Sequence, residues 1–233
     1  MMLLTVHLLA LAVACVIFGV ILFLQRRAKK IKAAPPVPPS VLFRSVTIAR
    51  PRTWAAIRAA TPATVQRALS LNRSSPCSWS EGMTGEHDFF ISPRINGWVI
   101  VTGAGLPNPS DDVDACFLFL IALSRKLGHV QFFHAENFSG HHAWARLDDG
   151  YVTRAYAWAG ETVWQQGEKT ALEIELKFKC FGYGEDVCSE KILQANCDKV
   201  PILAARWSMD PARINSRAPK VANGIAGESS PSF

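Results

Sequence analysis

His142-Ala143-Trp144-Ala145-Arg146-Leu147-Asp148-Asp149-Gly150-Tyr151-Val152-Thr153-Arg154-Ala155-Tyr156-Ala157-Trp158 is the stretch that decides the fold. Its apolar residues alternate with polar or small ones at the two-residue period of a half-buried strand, and Asp148-Asp149-Gly150 supplies the turn between two such runs. The pattern predicts strands over His142–Leu147 and Tyr151–Trp158, with a partner at Val130–His134 before them and another at Thr162–Gln165 after them. Further upstream, Asn96-Gly97 sits between Phe89–Ser92 and Trp98–Thr102, a second hairpin signal. Between the hairpins, Asp111 or Asp112 caps an apolar helix over Val113–Leu127, which Gly128 ends.

The flanks read as helical. Thr53 caps a turn over Trp54–Ala60, and Thr61-Pro62 starts a helix that runs to Leu71. A helix is expected from Thr170 to about Cys180 and another near Glu185–Ala195. Val200–Ala205 is apolar but holds Pro201, which suits an edge strand or a docking segment, and Asp210-Pro211 opens a last helical turn. Strands clustered among helices define an α+β class with an antiparallel sheet.

Length and charge divide the chain of 233 residues. Residues 1–80 carry 11 Lys/Arg and no acid, whereas residues 81–233 carry 14 bases against 19 acids, a net −5. An acidic domain of this kind repels phosphate, so no nucleic-acid partner is expected. Leu3 to Leu24 is a run of 22 residues without formal charge, about 33 Å as a helix, enough for a bilayer core. Arg26, Arg27, Lys29, Lys30 and Lys32 follow it, the reverse of the charge order in a cleavable leader. The expected plan is thus a single transmembrane helix over 1–24, a basic and Pro-rich linker over 25–41, a cytoplasmic α+β domain over 42–223 and a flexible tail over 224–233. In this plan the protein is a single-pass inner-membrane protein with its N-terminus outside, touching the bilayer through Leu3–Leu24 and anionic headgroups through the five bases.

Candidate chemistry is sparse. The soluble cysteines Cys77, Cys116, Cys180, Cys188 and Cys197 form no Cys-x-x-Cys pair, and His134, Glu136, His141 and His142 match no common ligand spacing, so no metal or cofactor is expected. Gly103-Ala104-Gly105 lies between a strand and a helix, but Asn108 replaces the third glycine of a dinucleotide loop and Asp111, Asp112 and Asp114 crowd the helix start. A surface is the better prospect. Trp144, Arg146, Arg154, Tyr156, Trp158 and Trp164 fall on consecutive strands and are residue types of binding hot spots, pointing to a protein partner.

Two resemblances add to this reading. Pro76-Cys77-Ser78-Trp79, Gly97–Gly105, Ser124–Phe133, His141–Trp144 and Arg154–Gly167 resemble a bacterial membrane-anchored protein family of unknown function, a likeness that implies no activity or ligand. The segment Cys116 to Trp144, with its His142-Ala143-Trp144 triplet, resembles the transglutaminase-like core. That second resemblance implies a cysteine-dependent acyl-transfer or hydrolytic enzyme with Cys116 as nucleophile and His142 as base. The orienting acid of that core is replaced here by Tyr156-Ala157-Trp158, leaving Glu161 as substitute. The strand–helix–strand unit followed by a hairpin is also similar to small bacterial immunity-type domains, in architecture only. A non-catalytic binding domain is the expected function, with the thiol enzyme as the alternative.

Overall fold

The computed structural model describes residues 50–59, 61–186, 189–214 and 223–229. Their elements, in chain order, begin with β1 (Thr53–Ile57), α1 (Pro62–Ala68), β2 (Leu71–Cys77), α2 (Trp79–Gly82), β3 (Phe89–Ile91) and β4 (Val99–Thr102). The central part is α3 (Val113–Leu127), β5 (Val130–Glu136), β6 (His141–Asp148), β7 (Tyr151–Trp158) and β8 (Thr162–Gln166). The chain then forms α4 (Ala171–Glu175), α5 (Glu190–Trp207), a 3-10 turn at Pro211–Arg213 and β9 (Gly224–Ser229).

All nine strands join one antiparallel sheet in the order β2-β9-β3-β4-β1-β5-β6-β7-β8. Because strand side chains alternate, the sheet has two apolar faces and two cores. On one face Ala55, Ile57, Phe132, Ala145 and Ala155 pack with α1 and with Cys116, Leu120 and Leu123 of α3. On the other, Trp54, Phe133, Trp144, Tyr156 and Trp158 pack with Val200, Leu203 and Ala204 of α5 and with Phe178. The two turns read from the sequence have the left-handed residues a two-residue loop requires: φ is 50° at Asn96 and 88° at Gly97, and 49° at Asp149 and 85° at Gly150. Asp112 caps α3, its carboxylate accepting from the Ala115 N–H at 2.8 Å.

The expected fold class needs correction. The described residues form one large nine-stranded sheet with few helices, and no helix among them is long and apolar enough to cross a membrane. The single-pass membrane reading finds no support among the described residues; Leu3–Leu24, the five bases and the Pro-rich linker lie outside them. Three local expectations change as well. Trp54–Ile57 is a strand at the middle of the sheet, not a capped helical turn, because Trp54 and Ala56 feed one core while Ala55 and Ile57 feed the other. Pro201 lies inside α5: it omits the helical bond to the Cys197 carbonyl, and burial of Val200, Leu203 and Ala204 keeps the helix running through it. Gly224–Ser229, within the expected tail, is a strand held between β2 and β3, and Leu71–Cys77 is the edge strand beside it.

Candidate functional site

Cys116 and His142 do not meet. Cys116 faces the α3 side of the sheet, fully buried beside Leu120 and Leu123. His142 projects from β6 on the opposite side and stacks on Trp144 with ring centroids 5.9 Å apart. Burial, and secondarily the Asp112 carboxylate, pushes the Cys116 thiol up to about 12, so it stays protonated at neutral pH. Glu161 is exposed in the turn before β8 and orients neither group. The transglutaminase-like assignment of Cys116, His142 and Glu161 fails on geometry: the sheet lies between nucleophile and base.

His142 instead joins residues from α5, brought within reach across more than 50 positions of chain. Its Nδ1 lies 2.8 Å from the Gly140 carbonyl oxygen and its Nε2 lies 3.1 Å from Asn196 Nδ2. A carbonyl only accepts, so Nδ1 carries the proton and Nε2 accepts from the Asn196 amide. That amide also donates to the Lys179 carbonyl at 2.7 Å, and its oxygen accepts from the Lys179 N–H at 3.2 Å, which fixes its orientation. Cys197 Sγ is 3.8 Å from His142 Nδ1, but that nitrogen has no free lone pair, and the thiol points to the His141 carbonyl at 3.5 Å. Burial lowers the His142 imidazole to about 4 and raises the Cys197 thiol to about 11. A cysteine, a histidine and an asparagine thus converge without forming a thiolate–imidazolium pair. The sequence hid this set because Pro201 argues against a helix that carries Asn196 and Cys197.

The six aromatic and arginine residues expected on a surface are mostly interior. Trp144, Arg154, Tyr156, Trp158 and Trp164 are all buried, and only Arg146 is half-exposed, its guanidinium 5.1 Å from the Trp207 ring. Trp164 packs against Phe117 on the α3 side, away from the other five. Arg154 and Glu173 form a buried ion pair, Nε and Nη2 donating to Oε1 at 2.9 and 2.7 Å. Trp144 Nε1 donates to the same carboxylate at 2.8 Å, and Glu173 closes a capping box with Thr170 at the start of α4. Burial alone would raise the Glu173 carboxyl; the Arg154 guanidinium and the Thr170 N–H outweigh it and hold it below the ordinary range. This is an interior brace, and a contact surface has to be sought elsewhere.

One stretch of surface is built for display. In the loop between β5 and β6, Phe138 is fully exposed at the tip. The loop beneath it is pinned: Gly140 N–H donates to the Glu136 carbonyl at 3.0 Å, Ser139 Oγ to Glu136 Oε2 at 3.0 Å, and Asn137 Nδ2 to Asp198 of α5 at 3.3 Å. Gly140 adopts φ 73°, and a Cβ there would stand 3.2 Å from Leu193 of α5, so glycine lets the loop close onto the helix. A cleft opens on each side of Phe138. One, of about 310 Å³, reaches to Arg52, Cys197 and Pro201, and the other, of about 400 Å³, to Lys191, Leu193 and Gln194. Arg52 and Glu136 pair at 2.7 Å on the rim of the first.

Comparison of the chain with protein-family models, with curated proteins and with solved structures finds no match.

Proposed function

We propose that the described domain works by binding a protein partner and not by catalysis, and that the contact is made at the Phe138 loop. The observation that carries this reading is a fully exposed phenylalanine on a pinned loop between two clefts. An exposed aromatic on a held loop, with the Arg52–Glu136 ion pair beside it, is the arrangement of an interface centre with a polar rim. Holding the loop in place before contact reduces the ordering cost that association carries. The non-catalytic half is supported by the neutral, hydrogen-bonded state of His142 and Cys197 and by the sheet that separates Cys116 from His142.

Photo-cross-linking tests it. With a photoreactive residue at Ser139, one discrete protein adduct is expected in the source cells, and Phe138→Asp should abolish it while the melting temperature stays unchanged. Absence of an adduct, or one that persists undiminished in Phe138→Asp, would refute the proposal.

A further inference from the structure

We propose that Cys77, Glu81 and His87 form a binding site for a divalent transition-metal cation of the zinc class. The three donors come from adjacent but separate pieces of the fold: the last residue of β2, the helix α2 and the loop before β3. One ligand atom of each lies within 4.8 Å of the others. Cys77 Sγ and His87 Nε2 are 3.6 Å apart. Zinc bonds of about 2.3 Å to sulfur and 2.0–2.1 Å to nitrogen, opened to a tetrahedral angle, place those atoms about 3.5–3.6 Å from one another. The pair can therefore bracket one ion without moving.

Neighbouring backbone holds the donors in place. Ser78 caps α2, accepting from the Glu81 N–H at 3.3 Å, which sets Glu81 one turn above Cys77. Gly82 lets α2 lie directly against the Phe90 ring. The loop bearing His87 is clamped by the Gly103-Ala104-Gly105 turn: Ala104 N–H donates to the His87 carbonyl at 3.0 Å and Gly105 N–H to the Asp88 carbonyl at 2.7 Å. Gly103 has φ 135°, and a Cβ there would stand 2.6 Å from the His87 carbonyl oxygen. The glycine turn thus serves to position His87.

Sulfur and imidazole donors favour zinc or cobalt over calcium or magnesium, which take oxygen shells. Cys77 is buried, His87 half-buried and Glu81 exposed, so the ion enters from the Glu81 side and finds its fourth position open to water. Bound there, it would cross-link the end of the edge strand to α2 and to the β3 loop. None of these residues belongs to the Phe138 region.

The test uses the untagged full chain, stripped with a chelator and reloaded with Zn²⁺ or Co²⁺ alone. One ion per chain should survive gel filtration, and Co²⁺ should give a near-ultraviolet thiolate-to-cobalt charge-transfer band. Cys77→Ser should lose the band, Cys180→Ser should keep it, and Glu81→Gln and His87→Gln should each weaken Zn²⁺ binding by about tenfold or more with circular dichroism unchanged. No band at one equivalent of Co²⁺, or a band that persists in Cys77→Ser, would overturn the site. Should Cys77→Ser not fold, undiminished affinity in the loop variant His87→Gln would overturn it equally.

Discussion

Acid should unfold this domain through two histidines before its carboxylates titrate. His142 is buried with its Nδ1–H on the Gly140 carbonyl and its Nε2 on the Asn196 amide. His134 is buried with Nδ1 2.8 Å from Thr53 Oγ1 and its Nε2 without a partner among the described residues. Burial lowers both imidazoles to about 4. In the unfolded chain each titrates near the ordinary value of about 6.5. Above that pH both states are neutral and the stability is fully present. As pH falls from 6.5 towards 4, the unfolded chain takes up protons that the native state refuses. Each histidine then costs about 1.4 kcal/mol per pH unit, about 3 kcal/mol by pH 4. The two together rival the whole stability of an ordinary domain, about 5–15 kcal/mol. Urea unfolding of the full chain at intervals from pH 8 to 4.5 reads the slope directly. A plateau above pH 7, a steep fall below 6.5 and a slope roughly halved in His142→Gln are expected. Stability that is flat between pH 7 and 5, or a slope unchanged in His142→Gln, would show that these histidines do not govern acid unfolding.

Two further perturbations follow from the same interior. Glu173→Gln leaves the Arg154 guanidinium buried without its counter-charge and should cost about 3–5 kcal/mol by denaturant unfolding, whereas Arg154→Met with Glu173→Leu together should cost much less. Because the Glu173 carboxyl is held below its ordinary value, its share of stability is present above about pH 4.5 and lost below it, a window distinct from that of the histidines. Asp112→Ala removes the cap of α3 and should cost about 1 kcal/mol, seen as a small drop in melting temperature.

Local chemistry made much of the sheet legible. Asn96-Gly97 and Asp149-Gly150 announce their hairpins because only residues tolerant of positive φ fit those turns, and Asp112 with Gly128 brackets α3. Two elements misled because tertiary context overrode the local signal. Trp54-Ala55-Ala56-Ile57 has no alternation because both faces of its strand are buried, and a preceding Thr then suggests a helix cap. Gly224–Ser229 pairs with strands more than 130 positions earlier, information that no short window contains. The aromatic and arginine residues of β6–β8 lie on strands, as their alternation implies, but are mostly interior and not surface. Their sequence does not show that α4 and α5 come back to cover that face, nor that Glu173 arrives as the counter-ion of Arg154. The Cys77, Glu81 and His87 cluster was equally invisible, because its spacing follows no metal motif and depends on how the Gly103 turn holds the His87 loop.

The choice between a binding domain and a transglutaminase-like enzyme rests on the state of Cys116. Pulsed alkylation of the native full chain across pH, with each modified cysteine located by peptide mass spectrometry, measures it. Cys116 should be labelled only as the protein unfolds, at the same rate in wild type and in His142→Gln once stability is matched. Rapid native labelling with a thiol pKa well below about 8.5, lost in His142→Gln, would contradict it.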